Sequence, residues 1–332
     1  MWRKVLVLSL CLALVGPLAL FAGGEREARE AETLSLRIAT NHTRETPASV
    51  GLRHFAERVS ELTDGQVQID IFYDAVLGTE SEAVEQVFGG ALAMTRVSTG
   101  HLNQFVPILD VFSVPYLFRD LDHKWSVLDG PIGAELEEHV AAEGLKLLYW
   151  VESGARSIYN NVRPINHPRD VQGLTIRVMG SPLMIQTIEE LGASPTTTSF
   201  AEVYNALQTG VIEGAENSPS SVQTMRHDEV TEYYSLNEHM MIPDVLVMSL
   251  DVWNRLNPQQ QAAIEQAAED AKTFTIDEWV RQEEEALDEI SGNMSINFID
   301  DKQPFIDALR PLHARANQRF DGLVERIQQW ED

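Results

Sequence analysis

The chain has 332 residues, 44% of them hydrophobic, enough for a folded protein with a substantial buried core. Its 51 aspartates and glutamates against 25 lysines and arginines give a formal charge of −26, which argues against nucleic acid or an anionic membrane as partner and reads most simply as a solubility or high-salt adaptation. The single cysteine, Cys11, excludes an intrachain disulfide, so stability has to come from the core.

At the N-terminus Arg3 and Lys4 precede an apolar run from Val5 to Phe21, and small residues follow at Ala22, Gly23 and Gly24. This is the pattern of a cleaved secretory signal peptide over residues 1–22. A membrane anchor is the alternative, weakened by Gly16 and Pro17 in a run already at the short limit for a span. Leu34 to Ala39 then alternates as a short strand, with Thr40, Asn41 and His42 directly after it, where open α/β sheets bind ligands. Apolar residues at helical spacing predict a helix over Pro47 to Leu62, and Asp64-Gly65 turns the chain into a second strand, Val67 to Phe72, completing a β-α-β unit. Thr79 and Glu82 form a capping box for a helix running to about Phe88. Glu80, in its first turn, either complements the helix dipole or reaches a ligand.

Ala91 to Val97 reads as a strand bearing Arg96, and Val106 to Phe118 as an apolar, proline-containing connection of the kind that packs between lobes. Asp122 to Glu143 reads as helical and Leu145 to Val151 as a buried strand. Arg156 lies in the extended run GARSIYNN. In the stretch Asp170 to Pro219, Leu174, Ile176 and Val178 share one strand face and leave Arg177 on the other. Gly180 breaks that strand, Ser181 caps the next helix at Pro182, and Gly192 closes it. Ser199 and Glu202 make a second capping box, for a helix from Phe200 to about Gln208, before a polar turn carrying Glu213, Glu216 and Asn217. The linker between the two arginine-bearing runs is long enough for their strands to be neighbours, which would bring two guanidiniums to one site. An arginine fork gives a carboxylate two parallel charge-assisted hydrogen bonds, which lysine cannot reproduce. Against that stands ordinary ion pairing with the many aspartates and glutamates. Beyond Pro219, the segment to Tyr234 reads as helical, Val245 to Leu250 as a strand crossing between lobes, and Pro258 to about Ile290 as a long helix with an apolar stripe. Ile296 to Ile299 is a predicted short strand and Pro304 to Trp330 a closing helix or helix pair.

The segments GLTIRV, LGASPTTTSFAEVY, ALQTGVIEGAEN and GARSIYNNVRPINHPRDVQ resemble the extracytoplasmic solute receptors of TRAP transporters (DctP type), tripartite and ATP-independent uptake systems. The resemblance runs from about Arg37 to the C-terminal helices. In GARSIYN, GAENSPSS, EVTEYYSLNEH and IPDVLVMS the chain is similar to the receptors for sugar acids such as glucuronate and galacturonate. This implies an α/β, two-lobe periplasmic-binding-protein-like fold with a central ligand cleft and a long helix bracing both lobes. Lobe I would comprise residues 33–153 plus 243–281, and lobe II residues 154–242 plus 282–332. It also implies a monomeric periplasmic receptor, without cofactor or catalysis, that captures a small-molecule carboxylate and delivers it to TRAP membrane subunits. A hexuronate is the implied ligand, with a C4-dicarboxylate as the alternative.

Residue by residue, Arg177 matches the arginine that grips the substrate carboxylate in these receptors, Arg156 a second binding arginine, and Asn217, in GAEN, an asparagine lining the cleft. His42, Glu80 and Arg96 are implied contacts for sugar hydroxyls. Phe200, Tyr204 and Trp150 read as core residues that are also able to wall a site. The chain has no HExxH, GxSxG, GxGxxG or GxxxxGK[ST] motif. Glu213 and Glu216 imitate an acid/base pair, but a spacing of three on a turn does not oppose two carboxylates. A secreted enzyme acting on acidic sugars is therefore the rival reading, and a surface protein with no small ligand is a third.

Overall fold

The structure is a computed structural model that describes residues 33–331; the signal-peptide reading of residues 1–22, with Cys11, lies outside the described residues. Eleven strands are described: β1 (Leu34–Ala39), β2 (Val67–Phe72), β3 (Met94–Ser98), β4 (Leu145–Val151), β5 (Arg156–Asn160), β6 (Thr175–Val178), β7 (Ser194–Thr197), β8 (Gly214–Asn217), β9 (Tyr233–Met240), β10 (Asp244–Ser249) and β11 (Ser295–Phe298). They form two sheets, ordered β2-β1-β3-β10-β4 and β11-β9-β5-β8-β6-β7. Each sheet is parallel around its β-α-β units and carries one antiparallel intruder, β10 in the first and β5 in the second. Both intruders therefore begin at the edge where their parallel neighbours end, and these strand ends face the space between the sheets.

Local signals account for most of the helices. Thr46 accepts from Ser49 N ahead of helix Pro47–Leu62, which buries Leu52, Phe55 and Val59 against the first sheet, each side chain contributing about 1.5–3 kcal/mol. Gly51 lies on this helix where it crosses helix Pro258–Ile290, and a Cβ there would overlap the Thr275 hydroxyl. The long helix starts from an Asn257–Gln260 capping box. Its first half sets Ile264, Ala267, Ala268 and Ala271 into the core of the first sheet, while Ile290 at its far end packs with Tyr159, Val222 and Tyr234 beneath the second. The chain passes between the sheets at residues 152–155, returns at 241–243, and passes again along this helix. The apolar connection Val106 to Phe118 forms a 3-10 turn and buries Leu109, Val111, Phe112 and Leu117 in a core shared with Trp150 of the first sheet and Ile158 and Val178 of the second.

Five readings of the sequence need correction. Asp122 to Glu143 is two helices, Leu121–Leu128 and Pro131–Ala142, because Gly130 and Pro131 form a new N-terminus. The helix expected from Pro219 to Tyr234 ends at Thr224, where Arg226 turns left-handed (φ 60°), and Tyr233–Met240 is an eight-residue strand. GAEN is no turn: it is β8, a strand interior to the second sheet. It lies between β5 and β6, so the arginine-bearing strands are not neighbours. Strand β10 sits inside the first sheet, and the crossing itself is made by the residues before it.

Candidate functional site

A cavity opens between the two sheets, with about 360 Å³ of empty space that includes open solvent. All six residues singled out in the sequence line it: His42, Glu80 and Arg96 from the first sheet's side, and Arg156, Arg177 and Asn217 from the second. Their convergence follows from topology, because the carboxyl ends of β1, β3, β6 and β8 and the amino ends of β5 and β10 meet at one edge.

On the first wall one guanidinium sits between two carboxylates. Arg96 Nη1 donates to Glu80 Oε1 (3.1 Å) and Asn41 Oδ1 (2.9 Å), and Nη2 pairs with Asp244 at the start of β10. Glu80 Oε1 also accepts from Ser98 N (3.0 Å), and Oε2 faces His101 Nε2 (3.3 Å). Helix-dipole compensation alone does not describe Glu80, which is buried and paired. Burial lowers the Arg96 pKa to about 10 despite the Glu80 charge. His42 is buried as well, and burial, with the charges of Arg96 and Arg156, holds its pKa well below the ordinary value. It is therefore a neutral imidazole, and its Nδ1 has no hydrogen-bond partner among the described residues.

On the second wall the two arginines differ in kind. Arg156 is already engaged: Nε (2.6 Å) and Nη2 (2.9 Å) take both carboxylate oxygens of Glu216, and Nη1 donates to Asn217 Oδ1 (3.0 Å). Burial opposes this charge, but Glu216 outweighs it and the Arg156 pKa rises. For Arg156, then, the ion-pairing alternative holds in this structure. Arg177 makes no ion pair among the described residues; Nε (3.0 Å) and Nη2 (2.6 Å) both donate to one acceptor, the Thr198 carbonyl. Burial lowers its pKa, the direction expected of a cation taken out of water. The Phe200 ring lies 6.0 Å from Arg177 Cζ and 5.7 Å from the His42 ring across the cavity, so this side chain serves the site as well as the core. Tyr204 and Trp150 stay outside it, hydrogen-bonded to Glu229 and Glu137.

Sequence reasoning passed over Asp244, and discounted Glu216 as half of an improbable acid/base pair. Asp244 had a signal, a lone carboxylate opening an apolar strand after Pro243. Glu216 had none, since its partner became visible only with the β5–β8 pairing. The arrangement is suited to binding: the carboxylates Glu80, Asp244 and Glu216 are paired with arginines.

The model of the bacterial extracellular solute-binding protein family 7 (DctP) matches residues 38–319. A solute-binding protein of Chromohalobacter salexigens is 36% identical over 291 residues, 86% of this chain and 87% of the relative. A TRAP periplasmic solute binding protein from Roseobacter denitrificans, solved with bound β-D-glucuronate, superposes with a TM-score of 0.86 at 35% identity, covering 90% of this chain and 100% of that one. One from Sulfitobacter sp. NAS-14.1, with bound β-D-galacturonate, gives 0.86 at 35% identity over 89% and 100%. The chain thus belongs to the bacterial extracellular solute-binding protein family 7, the DctP-type solute receptors of TRAP transporters.

Proposed function

We propose that this receptor captures a hexuronate, with Arg177 as the carboxylate anchor. The observation that carries the proposal is the unequal charge of the two walls. Arg156 and Glu216 cancel, so Arg177 leaves the second wall one positive charge in excess, while Glu80 and Asp244 around Arg96 leave the first wall one negative charge in excess. A ligand suited to both walls carries one carboxylate at one end and hydroxyl donors at the other. A C4-dicarboxylate would bring its second charge to the acidic wall. The relatives with bound glucuronate and galacturonate support the same class. Asn217 and neutral His42 supply further polar groups, and Arg156 acts through Asn217 and Glu216 as the frame of the anchor's wall.

The same reading makes residues 1–22 a cleaved signal, residues 33–153 plus 243–281 and 154–242 plus 282–332 the two lobes, and the mature protein a periplasmic monomer that hands its ligand to the TRAP membrane subunits. No catalytic step is part of it. A thermal-shift screen over hexuronates, aldonates and C4-dicarboxylates tests the proposal, because ligand at 100 times its dissociation constant adds roughly 2.7 kcal/mol to the native state. D-glucuronate or D-galacturonate is expected to give the largest shift. A larger shift with a dicarboxylate, or turnover of a uronide, overturns it.

A further inference from the structure

We infer that Glu202, outside the cavity, is a positioning residue that aims the Arg177 guanidinium through the Thr198 carbonyl. The inference deepens the proposed function and rests on Arg177 as the carboxylate anchor. Strand β7 is the outer strand of the second sheet and is paired on one side only, with β6. Thr198 follows it directly, so no further strand fixes the carbonyl on which Arg177 depends. What holds this turn is the capping box: Thr198 Oγ1 (2.7 Å), Ser199 Oγ (2.7 Å) and Ser199 N (3.3 Å) all donate to Glu202 Oε2. Those bonds, the Ser199 hydroxyl foremost, lower the Glu202 pKa, so the carboxylate is ionised at neutral pH.

The consequence reaches the cavity in one step. Two donors of Arg177 share the Thr198 oxygen, which sets the plane of the guanidinium, and Nη1 is left without a protein acceptor among the described residues. The same turn carries Phe200, whose ring lies over Arg177 and against His42. A carboxylate fork tolerates only about 0.5 Å or 10–20° of misplacement, so loosening the turn lowers affinity without removing any group that touches ligand.

The test is a double-mutant cycle on the full chain by calorimetry with D-glucuronate. Glu202→Ala is expected to weaken binding about 5- to 20-fold in the wild-type background and by less than about twofold in Arg177→Lys, where there is no fork left to aim. Glu202→Gln, whose amide oxygen still accepts, retains most of the affinity. Gln260→Ala, which breaks the capping box of the long helix instead, leaves binding unchanged. Wild-type affinity in Glu202→Ala, or the same loss in both backgrounds, overturns the inference. A second readout needs no ligand: solvent exchange of the Arg177 Nε–H, followed by ¹⁵N NMR, is expected to accelerate at least about tenfold in Glu202→Ala. Unchanged exchange overturns the inference as well. Failure of the wild type to bind any hexuronate instead overturns the functional reading and leaves this exchange measurement to decide the role of Glu202.

Discussion

Replacing Arg177 separates binding from folding, because its charge is buried without a carboxylate partner among the described residues. Two hydrogen bonds from the fork to a ligand carboxylate are worth about 1.5–3 kcal/mol each. Arg177→Lys keeps a charge but not the fork, and losing one such bond weakens binding about 10- to 150-fold. Arg177→Met loses both bonds and the charge, and binding falls by at least about 100-fold. Stability moves the other way. Burial already lowers the Arg177 pKa, so an apolar side chain of similar length removes a desolvation cost and sacrifices the bonds to the Thr198 carbonyl and the cation–ring contact with Phe200. The melting temperature of ligand-free Arg177→Met is therefore expected to hold or to rise by a few degrees, at about 2–4 °C per kcal/mol for a protein of this order of size. Arg156→Met is the contrast: it strands the buried Glu216 carboxylate, a loss of about 3–5 kcal/mol. Calorimetric titration with D-glucuronate and scanning calorimetry without ligand give both quantities. An unchanged dissociation constant in Arg177→Met, or a melting temperature lowered by as much as in Arg156→Met, would refute the reasoning.

Further measurements address the first crossing, the buried titratable groups and the charge balance. At the first crossing Gly154 has φ +71°, and a Cβ there would lie 2.8 Å from both Glu283 Oε1 and Trp279 Nε1; Gly154→Ala should cost about 1–3 kcal/mol, and an unaltered melting temperature would show that the crossing relaxes freely. Burial pushes the Glu283 carboxyl up to about 8 from 4.5. An acid with a raised folded pKa keeps its proton in the native state, so its contribution to stability falls as pH rises from about 4.5 to about 8; Glu283→Gln should lift the melting temperature more at about pH 9 than at about pH 5, and equal lifts would contradict this. Burial lowers His227 to about 3 and His239 to about 4, so their contribution is instead lost as pH falls below about 6.5, and stability should decline on both sides of neutrality. Finally, the formal charge of −26 repels an anionic ligand at long range but is screened beyond about 8 Å at physiological salt; association should be faster, or no slower, as salt rises from low to moderate, whereas stopped-flow rates falling steeply with salt would mean that a positive field steers the ligand.

What was legible in the sequence was what is decided locally. The Thr79–Glu82 box starts helix Glu80–Phe88 as expected, and the apolar stripe from Pro258 to Ile290 gives the full length of the bracing helix. Strands β7 and β8 have four residues each and no alternation, so they exist only through their neighbours. Strand β9 did carry a period of two, Tyr234, Leu236 and Met240 against Ser235, Asn237 and His239, interrupted at Glu238; the polar face is buried as well, Ser235 and Asn237 accepting from Ile165 N and Ile158 N. The site was legible as residue types, since Arg177, Arg156 and Asn217 reach one cavity with His42, Glu80 and Arg96. Which arginine is left without an ion pair among the described residues was not. That depends on β8 placing Glu216 against Arg156, and β10 placing Asp244 against Arg96, both consequences of strand order.

If the two walls close on a ligand, the pairing within each wall bears on what drives it. Every hydrogen bond and ion pair made by the cavity's arginines runs within one wall: Arg96 to Asn41, Glu80 and Asp244, Arg156 to Glu216 and Asn217, and Arg177 to Thr198. Across the cavity the aromatic contact of His42 with Phe200 is a weak tie, of the order of 0.5–1.5 kcal/mol for a ring pair. Among the described residues no direct ion pair of these arginines ties the walls together, so beyond the attraction of their opposite excess charges a ligand shifts the balance by the contacts it makes in the closed form alone. A carboxylate at Arg177 makes its hydrogen bonds to one wall whether or not the other approaches. Hydroxyls that donate to Glu80 or Asp244 are satisfied only when it does. On the proposed reading the carboxylate thus governs capture, and the hydroxyl pattern governs commitment to closure, which is where one sugar acid is told from another.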